Sequence, residues 1–216
     1  MNTNQLEEYL RLILLKNEIL NLTSITDFEK AKLLHLEDSL VALPEFNKAP
    51  EGKYADLGSG GGFPGVPLSI ATGREVLLVD SVAKKMKAVE EVIKELGYQN
   101  LIHFYIGRIE QLSIDYKYQF SVLTARALTN LSSLLELSAP LLKTGGQLIC
   151  YKTDNEEINI SESLLNKFGF QLISERHIIL SDEITRRLIL VYEKIHTEQI
   201  KLPRKVGIAQ KRPYKS

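Results

Sequence analysis

The chain has 216 residues, 44% of them hydrophobic and 25% charged, with 27 Lys+Arg balanced by 27 Asp+Glu. This is enough for one domain with a full core, or one domain plus a small appendage, and it excludes a disordered or fibrous chain. Apolar runs such as 188–192 are too short to span a bilayer, Glu7 and Glu8 stand where a signal peptide needs basic residues, and the single cysteine, Cys150, suits a reducing compartment; a cytoplasmic protein that does not engage membranes is expected.

In chain order, the first fifty residues read as helical. Leu6, Leu10, Ile13, Leu14 and Leu20 recur at helical spacing among Glu7, Arg11, Lys16 and Glu18. Thr26-Asp27-Phe28-Glu29 has the form of a capping box and predicts a second helix that ends before Pro44. From residue 51 the texture changes to short apolar runs at 54–57, 76–79, 101–106, 120–123 and 148–150, alternating with amphipathic stretches. Val82, Met86, Val89, Ile93 and Leu96 form one helical stripe closed by Gly97, and 128–142 is another helical candidate. Such alternation predicts an α/β fold with a doubly wound, Rossmann-like, mostly parallel sheet. The runs at 170–180 and 188–192 have only a polar segment between them, so they predict an antiparallel C-terminal edge. The expected organisation is a single domain over 1–216, made of an N-terminal helical extension (1–50), a core (51–200) and a basic C-terminal arm (201–216).

The most informative stretch is Tyr54-Ala55-Asp56-Leu57-Gly58-Ser59-Gly60-Gly61-Gly62-Phe63-Pro64-Gly65. An apolar strand enters a glycine cluster and then a segment, 64–71, that can start a helix with proline in its first turn. Glycines at this junction permit a tight turn and let a ligand approach the main chain. Gly60, Gly62 and Gly65 fit the spacing of a dinucleotide loop, a weak match by itself. Asp56 argues instead for S-adenosylmethionine, because a carboxylate suits that ligand's cationic amino-acid end and repels a pyrophosphate. Asp80, which ends the next run, can accept both hydrogen bonds from an adenosine ribose and would serve NAD equally well. A Walker lysine is missing, the four histidines are scattered without metal-ligand spacing, and no metal site is expected.

Charge is unevenly placed. Residues 201–216 hold Lys201, Arg204, Lys205, Lys211, Arg212 and Lys215 and no acid, a segment of +6 against −6 for residues 1–200. Such a segment is either a solvated end or an arm for a polyanion.

Read together, these motifs resemble the bacterial 16S ribosomal RNA guanine-N7 methyltransferases, the glucose-inhibited division protein B family. The resemblance covers almost the whole chain: Asn21-Leu22-Thr23, His35-Leu36-Glu37-Asp38-Ser39-Leu40, the 56–67 loop, Val79-Asp80-Ser81 with Lys84-Lys85, Gly107-Arg108-Ile109-Glu110, Ala125-Arg126-Ala127, Lys143-Thr144-Gly145-Gly146 and Leu202-Pro203-Arg204-Lys205-Val206-Gly207. Thr153, Ala209 and Tyr214 depart from the family's usual residues. The resemblance implies methyl transfer from S-adenosylmethionine to guanine N7 in small-subunit RNA by a monomer. It places Gly58, Phe63, Ile109, Glu110 and Arg126 on cofactor-contacting positions, beside Asp56, Gly60 and Asp80 from the loop argument, with Arg126 also the catalytic candidate. Lys84, Lys85, Arg108, Arg204, Lys205, Lys211 and Arg212 are the RNA-binding candidates. A small-molecule methyltransferase, an NAD-dependent oxidoreductase and a non-catalytic RNA-binding protein remain as alternatives.

Guanine N7 has a lone pair and no proton, so its methylation requires positioning more than a general base, and positioning can contribute about 7–11 kcal/mol. An arginine gripping O6 and N7 together would block the attacking lone pair. In A-form RNA the N7 edge lies in a groove that side chains cannot enter, so the target is expected to be unpaired or extruded.

Overall fold

The computed structural model describes residues 3–153 and 160–215. Helix α1 (Thr3–Leu20) buries Leu6, Tyr9, Leu10 and Ile13 on the stripe that its periodicity predicts. Asp27, in extended conformation, caps α2 (Phe28–Ala31) by accepting a hydrogen bond from Lys30 N at 2.8 Å. The expected capping box is therefore absent. With Asp27 as the cap, the third helical position is Lys30, which has no carboxylate to reach back. Helix α2 continues into a π-helical turn, Lys32–Glu37, and then into α3 (Asp38–Leu40). The wider turn brings His35, Leu36, Asp38 and Ser39 inward together. This second helical stretch ends at Leu40, before Pro44 as expected, and Pro44 belongs to the next helix. It stands in the first turn of α4 (Leu43–Lys48), where its missing N–H has no helical partner to lose.

The core then alternates as β1 (Tyr54–Leu57), α5 (Gly65–Thr72), β2 (Val76–Asp80), α6 (Ala83–Glu95), β3 (Ile102–Ile106), α7 (Ile109–Asp115), β4 (Phe120–Arg126), α8 (Leu131–Ser138) and β5 (Leu142–Thr153). Helix α9 (Glu162–Phe168), β6 (Phe170–Ile179), β7 (Arg186–Lys194) and a short α10 (Ile208–Lys211) follow. The helical candidate at 128–142 shrinks to α8. Asn130 caps it through Ser133 N at 2.9 Å, and Pro140, which has no N–H to continue the helical ladder, stops it after Ala139.

One seven-stranded sheet has the order β3-β2-β1-β4-β5-β7-β6. Strands β1 to β5 pair in parallel, and β7 pairs antiparallel with both β5 and β6, giving the expected mixed sheet with its antiparallel C-terminal edge. Side chains alternate between two cores. Tyr54, Leu78, Val122, Ile149 and Val191 pack with α1, α4, α5 and α6 on one face. Ala55, Leu57, Leu123, Cys150 and Tyr192 pack with α7, α8 and α9 on the other. The strand order reverses direction between β1 and β4, so a crevice opens at their carboxyl ends, where open α/β sheets hold ligands.

Candidate active site

The glycine loop leaves β1 at this crevice and is pinned on three sides. Gly58 N and Ser59 N both donate to Val79 O, at 2.8 and 3.1 Å, and Tyr9 donates its hydroxyl to Gly61 O at 2.6 Å. Gly60 N donates to Asp80 Oδ2 at 3.0 Å, while Val82 N donates to Asp80 Oδ1 at 2.8 Å. Gly58 has φ +71°, and a Cβ there would lie 2.5 Å from Leu128 Cδ1, so conformation and space both select glycine.

Asp56 occupies a different place from the one its spacing suggests. Its side chain is completely buried beneath the loop, where Gly65 N donates to Oδ2 at 2.9 Å and the Thr124 hydroxyl to Oδ1 at 2.7 Å. No carboxylate surface is left for a ligand's ammonium. The cause is strand alternation: Asp56 shares the face of Tyr54 and points into a core instead of out of the strand end. Burial raises its pKa to about 6 against the pull of these hydrogen bonds. The residue still bears on ligand choice, because its carboxylate occupies the first amide of α5, where a dinucleotide pyrophosphate would sit.

Gly58, Asp80, Ile109, Glu110, Leu128 and Gln210 line one pocket. The structure thus brings together four residues that sequence reasoning had grouped: Gly58 and Asp80 from the loop and β2, and Ile109 and Glu110 from the start of α7. Phe63 and Gly60 lie in an adjoining cleft with Arg126. Phe63 is nearly buried, stacked on His35 at 4.6 Å between centroids and edge-on to Tyr9 at 5.6 Å.

Arg126 ends β4 in a network that the sequence did not reveal. Its Nη1 donates to Leu34 O and to Asp38 Oδ2, both at 3.0 Å, and its Nη2 lies 3.4 Å from His35 Nδ1. Arg187 Nε holds the other Asp38 oxygen at 2.8 Å. The ion-pair partner of Arg126 is therefore Asp38. Because Arg126 can only donate, His35 Nδ1 accepts and Nε2 carries the proton, which it directs at Thr23 Oγ1, 2.8 Å away. Burial and the Arg126 charge lower the His35 pKa to about 4, so the imidazole is neutral near pH 7. Ala127, directly after Arg126, is held at φ +52°, a left-handed conformation that costs a non-glycine residue about 1–2 kcal/mol. These residues open onto a cleft of about 690 Å³, within the ~300–1,000 Å³ usual for small-ligand sites. Tyr151, Lys152 and Arg187 form its far side.

The basic C-terminal segment is docked and not a free arm. Arg204 forms a bidentate pair with Glu136, which is 2% exposed, and lies over the Tyr214 ring at 4.3 Å. Ser133 and Ser132 donate their hydroxyls to Ala209 O and Tyr214 O, each at 2.7 Å. Arg204 is thereby removed from the phosphate-binding candidates, since its fork is already matched to a buried carboxylate. Lys205, Lys211 and Arg212 remain exposed, as do Lys201 and Lys215. Lys84 is exposed at the start of α6 and Lys85 is half-buried. Arg108 is partly engaged, with Nη2 3.1 Å from Gln210 Oε1 and Nε 3.7 Å from Glu110 Oε2.

The residues present fit S-adenosylmethionine. Asp80 offers a carboxylate for ribose hydroxyls, Ile109 and Leu128 form apolar walls, and the loop offers backbone without side chains. Fold and site together define a Rossmann-like, S-adenosylmethionine-dependent methyltransferase. Solved structures share the fold: the [4+2]-cyclase SpnF (TM-score 0.57, 13% identity, 73% of this chain and 80% of that one), and the 1,6-didemethyltoxoflavin-N1-methyltransferase of Burkholderia thailandensis with S-adenosylhomocysteine (TM-score 0.54, 14% identity, 74% and 77%). A cyclase among them shows that the fold alone does not select a reaction. Sequence narrows it. The family model for rRNA small subunit methyltransferase G (GidB) matches residues 2–186, and the chain belongs to that family. The ribosomal RNA small subunit methyltransferase G of Alkaliphilus metalliredigens is 34% identical over 216 residues, 98% of this chain and 90% of that protein.

Proposed function

We propose that the protein methylates N7 of a guanine in 16S ribosomal RNA, acting as a cytoplasmic monomer on an unpaired or extruded nucleotide. The observation that carries this reading is the cleft beside the glycine loop, lined by the guanidinium groups of Arg126 and Arg187, in which His35 and Asp38, the possible bases among the described residues that line it, are both engaged by arginine. S-adenosylmethionine, when bound, supplies a methyl group already activated by its sulfonium. The chain's own residues then need only bind and orient. His35 is neutral but engaged at both nitrogens, and Asp38 has an arginine on each oxygen, so neither takes a proton. That suits N7, which carries none. Asp38 fixes the Arg126 guanidinium so that it meets the guanine or its phosphate at one angle and leaves the N7 lone pair open. A small-molecule substrate would give no use to Lys205, Lys211 and Arg212.

The test is nucleoside mapping of RNA treated with the pure protein and labelled S-adenosylmethionine, on naked 16S RNA and on intact small subunits in parallel. A single 7-methylguanosine is the expected product. Label at another base position, or on no RNA at all, would reject the reading.

A further inference from the structure

The C-terminal segment reaches back to the pocket at the ends of β2 and α7. Gly207 N donates to Glu110 Oε1 at 2.6 Å, and Glu110 is only 5% exposed. Four residues earlier in that stretch Pro203 makes a cis peptide, and four residues later α10 ends at Lys211. Between these points Gln210 lines the pocket with Gly58, Asp80 and Ile109, its amide oxygen accepting from Arg108 Nη2. The buried carboxylate of Glu110 is thus a dock for the tail, which contributes Gln210 to the pocket's lining.

We propose that the docked segment 201–215 is a wall of the cofactor pocket, with Gln210 as an adenine-edge contact, and that polyanion bound on its outer face tightens cofactor binding. This rests on the reading of that pocket as the S-adenosylmethionine site. A carboxamide presents both a donor and an acceptor, the pair that an adenine N6 amine and a ring nitrogen require. Releasing Arg108 from Gln210 to meet a ligand costs one exposed hydrogen bond.

The sign of the coupling follows from charge. The segment is anchored at Glu110, Glu136, Ser132 and Ser133, while Lys201, Lys205, Lys211, Arg212 and Lys215 face solvent with no acid in the segment to offset them. The acids beneath the segment, Glu110 and Glu136, are already engaged by Gly207 N and Arg204, so the exposed cations repel one another without those carboxylates to offset them, although residues 1–200 sum to −6. Phosphates that neutralise these cations favour docking, and a wall held closed binds cofactor more tightly. By linkage, cofactor must tighten polyanion binding by the same factor.

Calorimetric titration of S-adenosylhomocysteine into the full chain, alone and with a guanine-containing RNA oligonucleotide, tests both halves. Gln210→Ala is expected to weaken S-adenosylhomocysteine by about three- to tenfold, the loss of roughly one hydrogen bond, with the melting temperature of the free protein unchanged because Gln210 is exposed. Lys205→Ala/Lys211→Ala/Arg212→Ala removes the repulsion by substitution, so it is expected to raise the RNA-free affinity toward the RNA-bound value and to lose the further RNA-induced gain. Unchanged affinity in Gln210→Ala, or an RNA effect that survives the triple substitution, overturns the proposal. Failure of the unsubstituted protein to bind S-adenosylhomocysteine overturns instead the reading of the pocket on which it rests.

Discussion

Asp38 and Arg126, 88 positions apart in the chain, meet at 3.0 Å in the crevice between β1 and β4, and Asp38 is 2% exposed. Arg187 engages the same carboxylate from β7, so one buried anion aligns two cations that would otherwise repel. This asymmetry predicts different fates for the two ends of the pair. In Arg126→Ala the carboxylate keeps Arg187, so losing the Asp38 bond should cost about 1.5–3 kcal/mol, to which the lost bond to Leu34 O adds. Methylation should fall far more, by about 10²–10³, if Arg126 orients the guanine nucleotide. Asp38→Ala leaves two arginines facing each other and should cost about 3–5 kcal/mol. Urea denaturation beside single-turnover methylation separates these outcomes. An Arg126→Ala protein that folds and works normally would remove Arg126 from the chemistry.

Asp56 and His35 predict a pH signature. Folded Asp56 keeps its proton up to about pH 6, whereas an unfolded Asp releases it near 3.8, so this group's contribution to stability falls as pH rises through that window. Folded His35 refuses a proton down to about pH 4 that the unfolded chain takes up near 6.5, so its contribution rises with pH and is lost on acidification. The two oppose each other over the shared range, each by at most about 1.4 kcal/mol per pH unit. Asp56→Asn should therefore steepen the rise of stability with pH relative to the unsubstituted protein, and His35→Asn should flatten or invert it. Urea unfolding from about pH 4 to about pH 7 checks both, and parallel curves for all three proteins would show that neither group titrates as described.

The steric argument at Gly58 can be tested by rescue. Its Cβ position falls 2.5 Å from Leu128 Cδ1, the flexible end of a side chain that lines the pocket proposed for the cofactor. Gly58→Ala should fold, with a penalty of about 1–2 kcal/mol for an alanine at positive φ. It should also displace Leu128 into the pocket and lower S-adenosylhomocysteine affinity by about tenfold or more. Adding Leu128→Ala frees the space and should recover part of that affinity. Equal losses in the single and double variants would point to backbone strain alone.

Much of this architecture is legible from local pattern. Strands buried on both faces appear as apolar runs: β1, β2, β4 and β5 contain the runs at 54–57, 76–79, 120–123 and 148–150, and the run at 101–106 begins one residue before the edge strand β3. Helix α9 was not legible in the same way, since seven residues between Ser161 and Gly169 are too few to display a period, although both ends carry proper caps. The burial of Asp56 was available in principle, from its two-residue offset to Tyr54 on one strand face. What no local pattern could supply is the pairing of distant charges. Asp38 with Arg126, Glu136 with Arg204 and Glu110 with Gly207 are set by which loops converge at the sheet's carboxyl edge. For that reason the tail looked like a free arm, when Leu202 and Ala209 are in fact buried in the core around α8.

The tail's cations accordingly divide into two groups with opposite signatures. Arg204→Ala removes the partner of a Glu136 carboxylate that is 2% exposed, and it should destabilise the protein by about 3–5 kcal/mol, visible as a lower melting temperature. Lys205, Lys211 and Arg212 are exposed, and their replacement by alanine should leave the melting temperature alone. If each meets a phosphate, the triple variant should bind RNA more weakly, and its log affinity should fall with log salt less steeply, by about 0.7 per lost contact for single strands. Filter binding across a salt series gives the slope, and calorimetry gives the melting temperature. An unaltered slope in the triple variant would shift the RNA-binding face to Lys84 and Lys85 at the start of α6. A normal melting temperature in Arg204→Ala would mean that the Glu136 pair does not hold the tail in place.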